Sequence, residues 1–280
     1  MVLSNLQTVS WPAVDLPAIP VKVSPGATVR LHPHFGEFDV QALVREHLHY
    51  EAENFAWLDS RAATYDTIVE IGANVGVFTT YFGTHFRTPA GHPSRVIAFE
   101  PSAEAFRRLQ ANLRANHLAH VVAVQAAVTE TAGTVAFHEP SGHLSNGSVL
   151  SSFASQFSND VRVSAVRSVN CAEIAALVPD GRVLLKIDVE GAEAMVLKSL
   201  APWTRTVQPD ILIEVLPGYE AGIRRAQPPG YRSFEVTPEG PVARETIAAG
   251  PWRDWWLEPE RRVDEPGTAC SITRAKTLEG

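Results

Sequence analysis

The 280-residue chain is 45% hydrophobic and carries a net charge of -7 at pH 7. This composition allows a full hydrophobic core, in one large domain or two small ones. The acidic balance argues against a protein that grips nucleic acid through a broad basic surface, and it favours a small or neutral partner.

The chain contains two cysteines, Cys171 and Cys270, and no Cys-x-x-Cys pair. This content predicts neither a disulfide framework nor a structural zinc site, and it suits a reducing, cytoplasmic location. The N-terminal segment lacks a basic start and is interrupted by Pro12, Pro17 and Pro20. We therefore expect neither a signal peptide nor a membrane span there.

Residues 1–60 predict an arm and a helical lead-in ahead of a main domain at residues 61–280. The arm has no sustained periodicity, which is typical of an extended or short-stranded segment. From residue 38 to 58, apolar residues recur at helical intervals. Tyr50 and Glu51 could reach a ligand bound just downstream, but core packing for Tyr50 and a solvated position for Glu51 are the simpler interpretations.

Residues 67–83, TIVEIGANVGVFTTYFG, predict a strand, a tight turn and a helix. The strand ends near Glu70, and Gly72 and Gly76 stand four apart with Asn74 between them. In an open α/β sheet, ligands bind outside the carboxyl ends of strands, where glycines permit close backbone approach and helix N-termini present free N–H groups. This stretch is therefore the predicted floor of a ligand site.

The glycine spacing indicates which kind of ligand fits. A dinucleotide loop needs Gly-x-Gly-x-x-Gly, and Asn74 and Val77 occupy its second and third glycine positions. An acid at the strand tip would also repel phosphate. We therefore expect a ligand with a cationic amino-acid end and no phosphate, such as S-adenosylmethionine (SAM), while an ordinary strand-to-helix turn is the alternative. Asparagine suits the turn because it tolerates left-handed backbone angles.

A second buried strand is predicted at residues 95–99, and it leads into Glu100, 24 residues beyond Gly76. A carboxylate at this position accepts both ribose hydroxyls of an adenosine, although it could instead only compensate charge at a helix start. Pro101 and Ser102 suit the first residues of the helix that follows.

Residues 117–127 predict a third strand, in which the small Ala126 and Ala127 leave room for a flat adenine ring. Short additional strands are expected at residues 134–137 and 161–166.

The segment between these two short strands, residues 139–160, is dense in Ser, Asn and Gly. Compact domains seldom contain so long a structureless loop without a use, so it is a candidate lid or acceptor-binding loop, and disorder is the alternative. His143 lies within it.

Residues 183–200, VLLKIDVEGAEAMVLKSL, predict a buried strand, a turn and a helix. The period of two places Lys186, Asp188 and Glu190 on one side of the strand end. Charged groups there are costly unless they are functional or paired, and a Lys–carboxylate pair that only ties strands together is the alternative. The next predicted strand is also apolar, and it also ends in an acid, Glu214.

The C-terminal part predicts a hairpin from residues 231–236 and 241–245, with a turn between them. Trp252, Trp255 and Trp256 follow, and they suit either core packing or a sugar-binding platform.

The segments EIGANVG, AFEPS, SNGSVLSSF and above all LLKIDVEGAEAMVL resemble the FkbM family of SAM-dependent O-methyltransferases. The resemblance runs from about residue 50 to residue 215, and KIDVEGAE is its most specific piece. It implies an α/β, Rossmann-like class I methyltransferase fold with a seven-stranded, mostly parallel sheet. A C-terminal antiparallel hairpin and an N-terminal helical or extended lead-in would complete it. The family methylates hydroxyls on sugars, glycolipids and secondary metabolites.

The resemblance also implies roles for individual residues. The first loop would hold the methionyl end of SAM, Glu100 the ribose, and the alanine pair the adenine, while Asp188 and Glu190 would flank the methyl group. The complete expected cofactor-binding set is Glu70, Gly72, Asn74, Gly76, Phe78, Glu100, Pro101, Ser102, Ala126, Ala127, Asp188 and Glu190.

An acceptor hydroxyl needs a base close to the methyl group. Asp188 is the first candidate, followed by Glu214 and His143, and Lys186 could orient Asp188 or the acceptor oxygen. If Asp188, Glu190 and Glu214 converge, Mg²⁺ could polarise the hydroxyl instead. The expected acceptor is a small molecule or glycan. A SAM-binding protein without turnover is the alternative from a different functional class, and a nicotinamide dehydrogenase is a third.

Overall fold

The computed structural model describes residues 16–33 and 51–260. Its strands are β1 (Ile19–Ser24), β2 (Ala27–Leu31), β3 (Thr67–Ile71), β4 (Arg95–Phe99), β5 (Val122–Val124), β6 (Ala127–Val128), β7 (Gly133–Pro140), β8 (Val161–Val169), β9 (Val183–Ile187), β10 (Asp210–Glu214), β11 (Tyr231–Thr237), β12 (Gly240–Arg244) and β13 (Asp254–Pro259). Its α-helices are α1 (Ala52–Asp59), α2 (Val77–His85), α3 (Ala103–Ala115), α4 (Ser151–Ala154), α5 (Cys171–Leu177), α6 (Glu193–Ser199), α7 (Ala201–Val207) and α8 (Glu220–Ala226). Strands and helices alternate through most of the chain, which confirms the predicted α/β class.

The central sheet has eight strands in the order β12-β11-β13-β10-β9-β3-β4-β5. The strands from β10 to β5 run parallel, and β13 lies antiparallel between β10 and β11. The predicted mostly parallel sheet is therefore confirmed. It has one strand more than the expected seven, because β12 pairs with β11 as the second arm of the predicted hairpin and extends the edge.

The parallel strands are apolar because both faces of the sheet are covered. Every residue of β3 and β9 is buried. Successive side chains point to opposite faces, so Val69 and Leu185 enter one core cluster, whereas Ile68 and Leu184 enter another. These buried strands fix the positions of the strand ends that follow them.

The tryptophans near the C-terminal end are part of this core. Trp255 and Trp256 are neighbours in β13, and one lies in each core cluster. Core packing is thus confirmed for these two side chains. Trp252 lies before the strand and is partly exposed.

The N-terminal strands β1 and β2 form an antiparallel hairpin, as expected for a short-stranded arm. Val21 and Leu31 share a core cluster with Phe55 of α1. The helix α1 covers the end of the predicted helix at residues 38–58; Tyr50 and the rest of that prediction lie outside the described residues. The arm before residue 16, with its prolines, and Cys270 lie outside them too. None of the helices in the described ranges is long and apolar enough to cross a membrane.

The predicted third strand at residues 117–127 is shorter than expected. His117 still belongs to the turn that ends α3, where it adopts a left-handed φ of 56°. Ala126 donates its N–H to the carbonyl of Val124 at 3.0 Å, which bends the chain out of the central sheet after β5. Ala127 then starts β6, in a separate sheet of order β6-β8-β7. The two short strands expected beyond it are β7 and β8, which pair antiparallel over eight positions.

Candidate functional site

A cavity of about 380 Å³ opens at the carboxyl ends of β3, β4, β9 and β10, and we call it the strand-end cavity. The carboxylates that line it belong to Glu51, Glu70, Glu100, Asp188, Glu190 and Glu214. The cationic side chains among its described lining residues are those of Lys186 and Arg253. Acidic groups therefore outnumber basic ones around it.

Most of the predicted residues meet at this cavity. The predicted cofactor-binding residues that line it are Glu70, Gly72, Asn74, Phe78, Glu100, Pro101, Ala126, Ala127, Asp188 and Glu190. The predicted catalytic residues that line it are Asp188, Lys186 and Glu214.

The turn after β3 forms the floor of the cavity. Gly72 has a φ of 88°, and a Cβ atom there would lie 1.7 Å from the carbonyl oxygen of Asp188. Only glycine fits, because both the backbone angle and the space exclude a side chain. Asn74 adopts the left-handed conformation with a φ of 49°, and its Oδ1 is buried without a hydrogen-bond partner among the described residues.

Glu70 and Glu100 are held by specific hydrogen bonds beside this turn. The Glu70 carboxylate accepts the hydroxyl of Thr79 at 2.6 Å. Glu100 accepts the N–H groups of Asn74 at 2.8 Å and Ser102 at 2.7 Å, one on each oxygen. Burial raises the pKa of Glu70 and of Glu100 to about 7, although these hydrogen bonds act in the opposite direction. Both acids are therefore poised to lose a proton when a cation approaches.

Lys186 is almost completely buried beside the cavity, with 4% of its surface exposed. Its Nζ lies 3.0 Å from Oδ2 of Asp188 and 4.4 Å from the ring centre of Phe78. Burial alone would lower the pKa of Lys186, but the carboxylates of Asp188, Glu51 and Glu70 outweigh it and hold that pKa above its ordinary value. Lys186 is consequently a permanent positive charge among acids.

Two further acids that line the cavity, Glu190 and Glu214, also have raised pKa values. Burial and the neighbouring Asp188 and Glu193 raise the pKa of Glu190 to about 9, while a hydrogen bond from the Asn146 side chain lowers it in part. Burial and the same Asp188 hold the pKa of Glu214 well above its usual range. For both acids, burial and neighbouring carboxylates outweigh the opposing contributions, which for Glu190 include the charge of Lys186.

Three of the predicted residues lie away from the cavity. The Cα of Gly76 faces Leu109 of α3, because a Cβ there would lie 2.3 Å from a Leu109 methyl group. Ser102 caps α3 by accepting the N–H of Ala105, and its hydroxyl donates to Glu139. His143 is exposed on the outer side of its loop.

The position of His143 follows from how the loop between β7 and β8 folds. His138 and Ser148 exchange backbone hydrogen bonds at 2.8 and 3.0 Å across the base of this loop segment. The His143 ring then contacts Phe157, with ring centres 5.9 Å apart. The other side of the loop, through Asn146 and Val149, lines the cavity.

The sequence did not single out Arg253, Asn146 or Glu193. Arg253 precedes β13, which inserts next to β10 only in the folded sheet, so no local pattern predicts it. Glu193 is the last acid of the KIDVEGAE segment. It lies in the first turn of α6, and an acid at a helix start is the sequence pattern that could have predicted its role. Within residues 16–33 and 51–260, no group of three His, Cys, Asp or Glu side chains is arranged to hold a metal ion.

Residues 70–232 match the family described as Methyltransferase FkbM domain. No curated protein matches the chain.

Several solved structures match the chain at low sequence identity and with TM-scores below 0.5. An FkbM methyltransferase from Methylobacillus flagellatus KT is 14% identical with a TM-score of 0.44, and the alignment covers 81% of this chain and 56% of that one. The 16S rRNA N2 G1207 methyltransferase RsmC of T. thermophilus, solved with AdoMet and guanosine, is 12% identical with a TM-score of 0.43 and coverage of 86% and 50%. A putative O-methyltransferase from Klebsiella pneumoniae is 13% identical with a TM-score of 0.37 and coverage of 73% and 77%.

The chain thus spans little more than half the length of the first of these relatives. Because the family match extends over more than half of its own 280 residues, the chain belongs to the FkbM methyltransferase family.

Proposed function

We propose that this chain is a SAM-dependent O-methyltransferase that transfers a methyl group to a hydroxyl of a small molecule, sugar or secondary metabolite. The observation that carries the proposal is the acid-lined cavity at the carboxyl ends of four parallel strands, beside a glycine turn unsuited to pyrophosphate. The excess of carboxylates favours a cationic ligand over a phosphorylated one.

The residues present fit SAM. The Gly72 position, where a Cβ would overlap the Asp188 carbonyl, allows a ligand to approach the backbone closely. The buried Asn74 Oδ1 has no hydrogen-bond donor among residues 16–33 and 51–260, and an ammonium group could supply one. Each oxygen of Glu100 accepts one backbone N–H and retains a lone pair for a ribose hydroxyl. Ala126 and Ala127 offer a flat, buried wall for an adenine ring.

SAM, when bound, supplies an already activated methyl group. The protein must therefore align the acceptor oxygen with the methyl–sulfur bond and accept the hydroxyl proton. Alignment contributes on the order of 7–11 kcal/mol in favourable cases. A general base contributes roughly 100- to 10,000-fold in rate.

Asp188 is the proposed base, since it lies at the end of β9 in the strand-end cavity and 25% of its side chain is accessible. Lys186 orients it through their 3.0 Å contact. Glu214, at the end of the neighbouring strand, is the second candidate.

Two measurements test the proposal. Calorimetry with SAM and with S-adenosylhomocysteine should show binding of both, and labelled SAM with a library of hydroxylated acceptors should show methyl transfer. Binding without turnover against every acceptor would favour the non-catalytic SAM-binding alternative, and binding of NAD in place of SAM would favour a dehydrogenase.

The role of Asp188 is tested separately with Asp188→Ala. We expect this variant to retain S-adenosylhomocysteine binding and to lose methyl transfer by about a hundredfold or more. Full transfer by the variant would exclude Asp188 as the base and leave Glu214 as the candidate.

A further inference from the structure

The turn between β9 and α6 presents the acidic groups of the strand-end cavity in an unfavourable backbone conformation. Glu190 has a φ of 56° and Gly191 a φ of 89°. A left-handed conformation is unfavourable for a non-glycine residue, because its Cβ atom crowds the backbone. The turn therefore needs an interaction that holds it.

The carboxylate of Glu193 provides that interaction. Its Oε1 accepts the N–H of Val189 at 3.0 Å and the N–H of Gly191 at 3.1 Å. These are the amides on either side of Glu190, so one oxygen fixes the backbone that carries the left-handed residue. Glu193 is completely buried, and water cannot replace it as acceptor.

The outer side of the same turn is covered by other residues. The hydroxyl of Ser148 donates to the carbonyl of Glu190 at 2.8 Å. A Cβ atom on Gly191 would lie 2.8 Å from the ring of Phe153 and 3.1 Å from that of Tyr219. The turn is thus held from outside by packing and from inside by Glu193.

Glu193 does not line the cavity, whereas Asp188 and Glu190 do. Besides the effect of its charge on the pKa of Glu190, its hydrogen bonds can therefore act on a bound ligand only through the turn. We propose that Glu193 is a positioning residue of the methyltransferase site, which holds the Asp188–Gly191 turn so that the carboxylates of Asp188 and Glu190 face the strand-end cavity. This inference rests on the proposed function.

The role belongs to Glu193 as a hydrogen-bond acceptor and not as a charge. Both turn contacts are made by Oε1, and the buried Oε2 has no hydrogen-bond partner among the described residues. A glutamine keeps one carbonyl oxygen at the same distance from the backbone, whereas an alanine leaves two N–H donors unpaired.

The experiment compares Glu193→Ala with Glu193→Gln by two readouts besides turnover. Amide hydrogen exchange of residues 188–192 reports whether the turn is held, and calorimetry with S-adenosylhomocysteine reports the consequence for the site. Glu173→Ala is the matched control, because Glu173 also accepts a backbone N–H at a helix start, from Asn170, away from the cavity.

We expect Glu193→Ala to lose protection of residues 188–192 and to bind S-adenosylhomocysteine about tenfold more weakly, since it leaves two buried N–H donors unpaired. Glu193→Gln should keep the protection and bind within about threefold of wild type. The Glu173→Ala control should leave both readouts at residues 188–192 unchanged.

Wild-type affinity or unchanged protection in Glu193→Ala would overturn the inference. If that variant does not fold, Glu193→Gln decides, because loss of protection or a large loss of affinity there would show that charge matters and not the acceptor. Failure of the wild-type protein to bind either SAM or S-adenosylhomocysteine would instead overturn the proposed function, and hydrogen exchange would still test whether Glu193 holds the turn.

Discussion

The ammonium of Lys186 lies 3.0 Å from a carboxylate oxygen of Asp188, two residues further along the same chain segment. The two partners differ in exposure, since 5% of the Lys186 side chain is accessible and 25% of the Asp188 side chain. An ion pair between β9 and the turn after it could serve only to stabilise the backbone there. Both members of this pair, however, line the strand-end cavity. The Lys186–Asp188 ion pair therefore lies in the candidate functional site and not at a separate place in the sheet.

Replacing Lys186 with methionine should separate binding from turnover. The variant keeps an apolar chain against Phe78 but removes the charge that orients Asp188. We expect methyl transfer to fall by about a hundredfold, while S-adenosylhomocysteine binding is retained because the carboxylates remain. Lys198→Met, on the exposed side of α6, is the control and should behave as wild type. Unchanged turnover in Lys186→Met would remove Lys186 from the mechanism.

The Gly72 position should be far less tolerant than its backbone angle alone suggests. A Cβ at Gly72 would meet the Asp188 carbonyl at 1.7 Å, whereas one at Gly91, with a similar φ of 85°, would meet nothing within 4 Å. Gly91→Ala should cost about 1 kcal/mol of unfolding free energy, from the left-handed angle. Gly72→Ala should cost about 3 kcal/mol or more, because packed backbone must also move. Denaturant unfolding measures both, and equal losses would contradict the close approach.

The part of the site that could be predicted from sequence is the part encoded locally. Glu70, the glycine turn and Glu100 follow short apolar strands, so their order along the chain already places them at one sheet edge. Glu51 lines the same cavity, although the sequence favoured a solvated position for it over contact with a ligand. Arg253 also lines the cavity from a position about 200 residues further along the chain, and no short-range pattern predicts this.

The order of strands in the sheet, and which residues of the β7–β8 loop face the cavity, could not be predicted either, because both depend on contacts between residues distant in sequence. The insertion of β13 between β10 and β11 is a long-range pairing, which a hairpin signal in the sequence does not contain. His143 is exposed in the loop segment that the pairing of His138 with Ser148 closes, and that pairing joins residues ten positions apart. The composition of residues 139–160 predicts a lid or acceptor-binding loop, but it does not predict which of these residues face the cavity.

The free protein should become more stable when the pH falls from about 8 to about 5.5. Glu70 and Glu100 have folded pKa values of about 7 and ordinary values of 4.5. Between these values the folded chain holds protons that the unfolded chain has lost, so their contribution is full below pH 4.5 and is lost as the pH rises through about 7. Thermal unfolding should show a rise of a few degrees on acidification. Glu70→Gln should reduce the rise to roughly half, because Glu100 still contributes, and a fall in Tm over this range would contradict the raised pKa values.

Binding of S-adenosylhomocysteine near pH 6.5 should release protons from the free protein. Burial leaves the Glu70 carboxyl with a pKa of about 7, so a large fraction is protonated before the ligand arrives. If the ammonium group of the ligand's amino-acid end lies next to Glu70, it favours the charged form of Glu70 and lowers its pKa, and the proton leaves. Calorimetry in two buffers with different ionisation enthalpies measures the number released. Glu70→Gln cannot release this proton and is the control, so an equal release by wild type and variant would place the ligand's ammonium group away from Glu70.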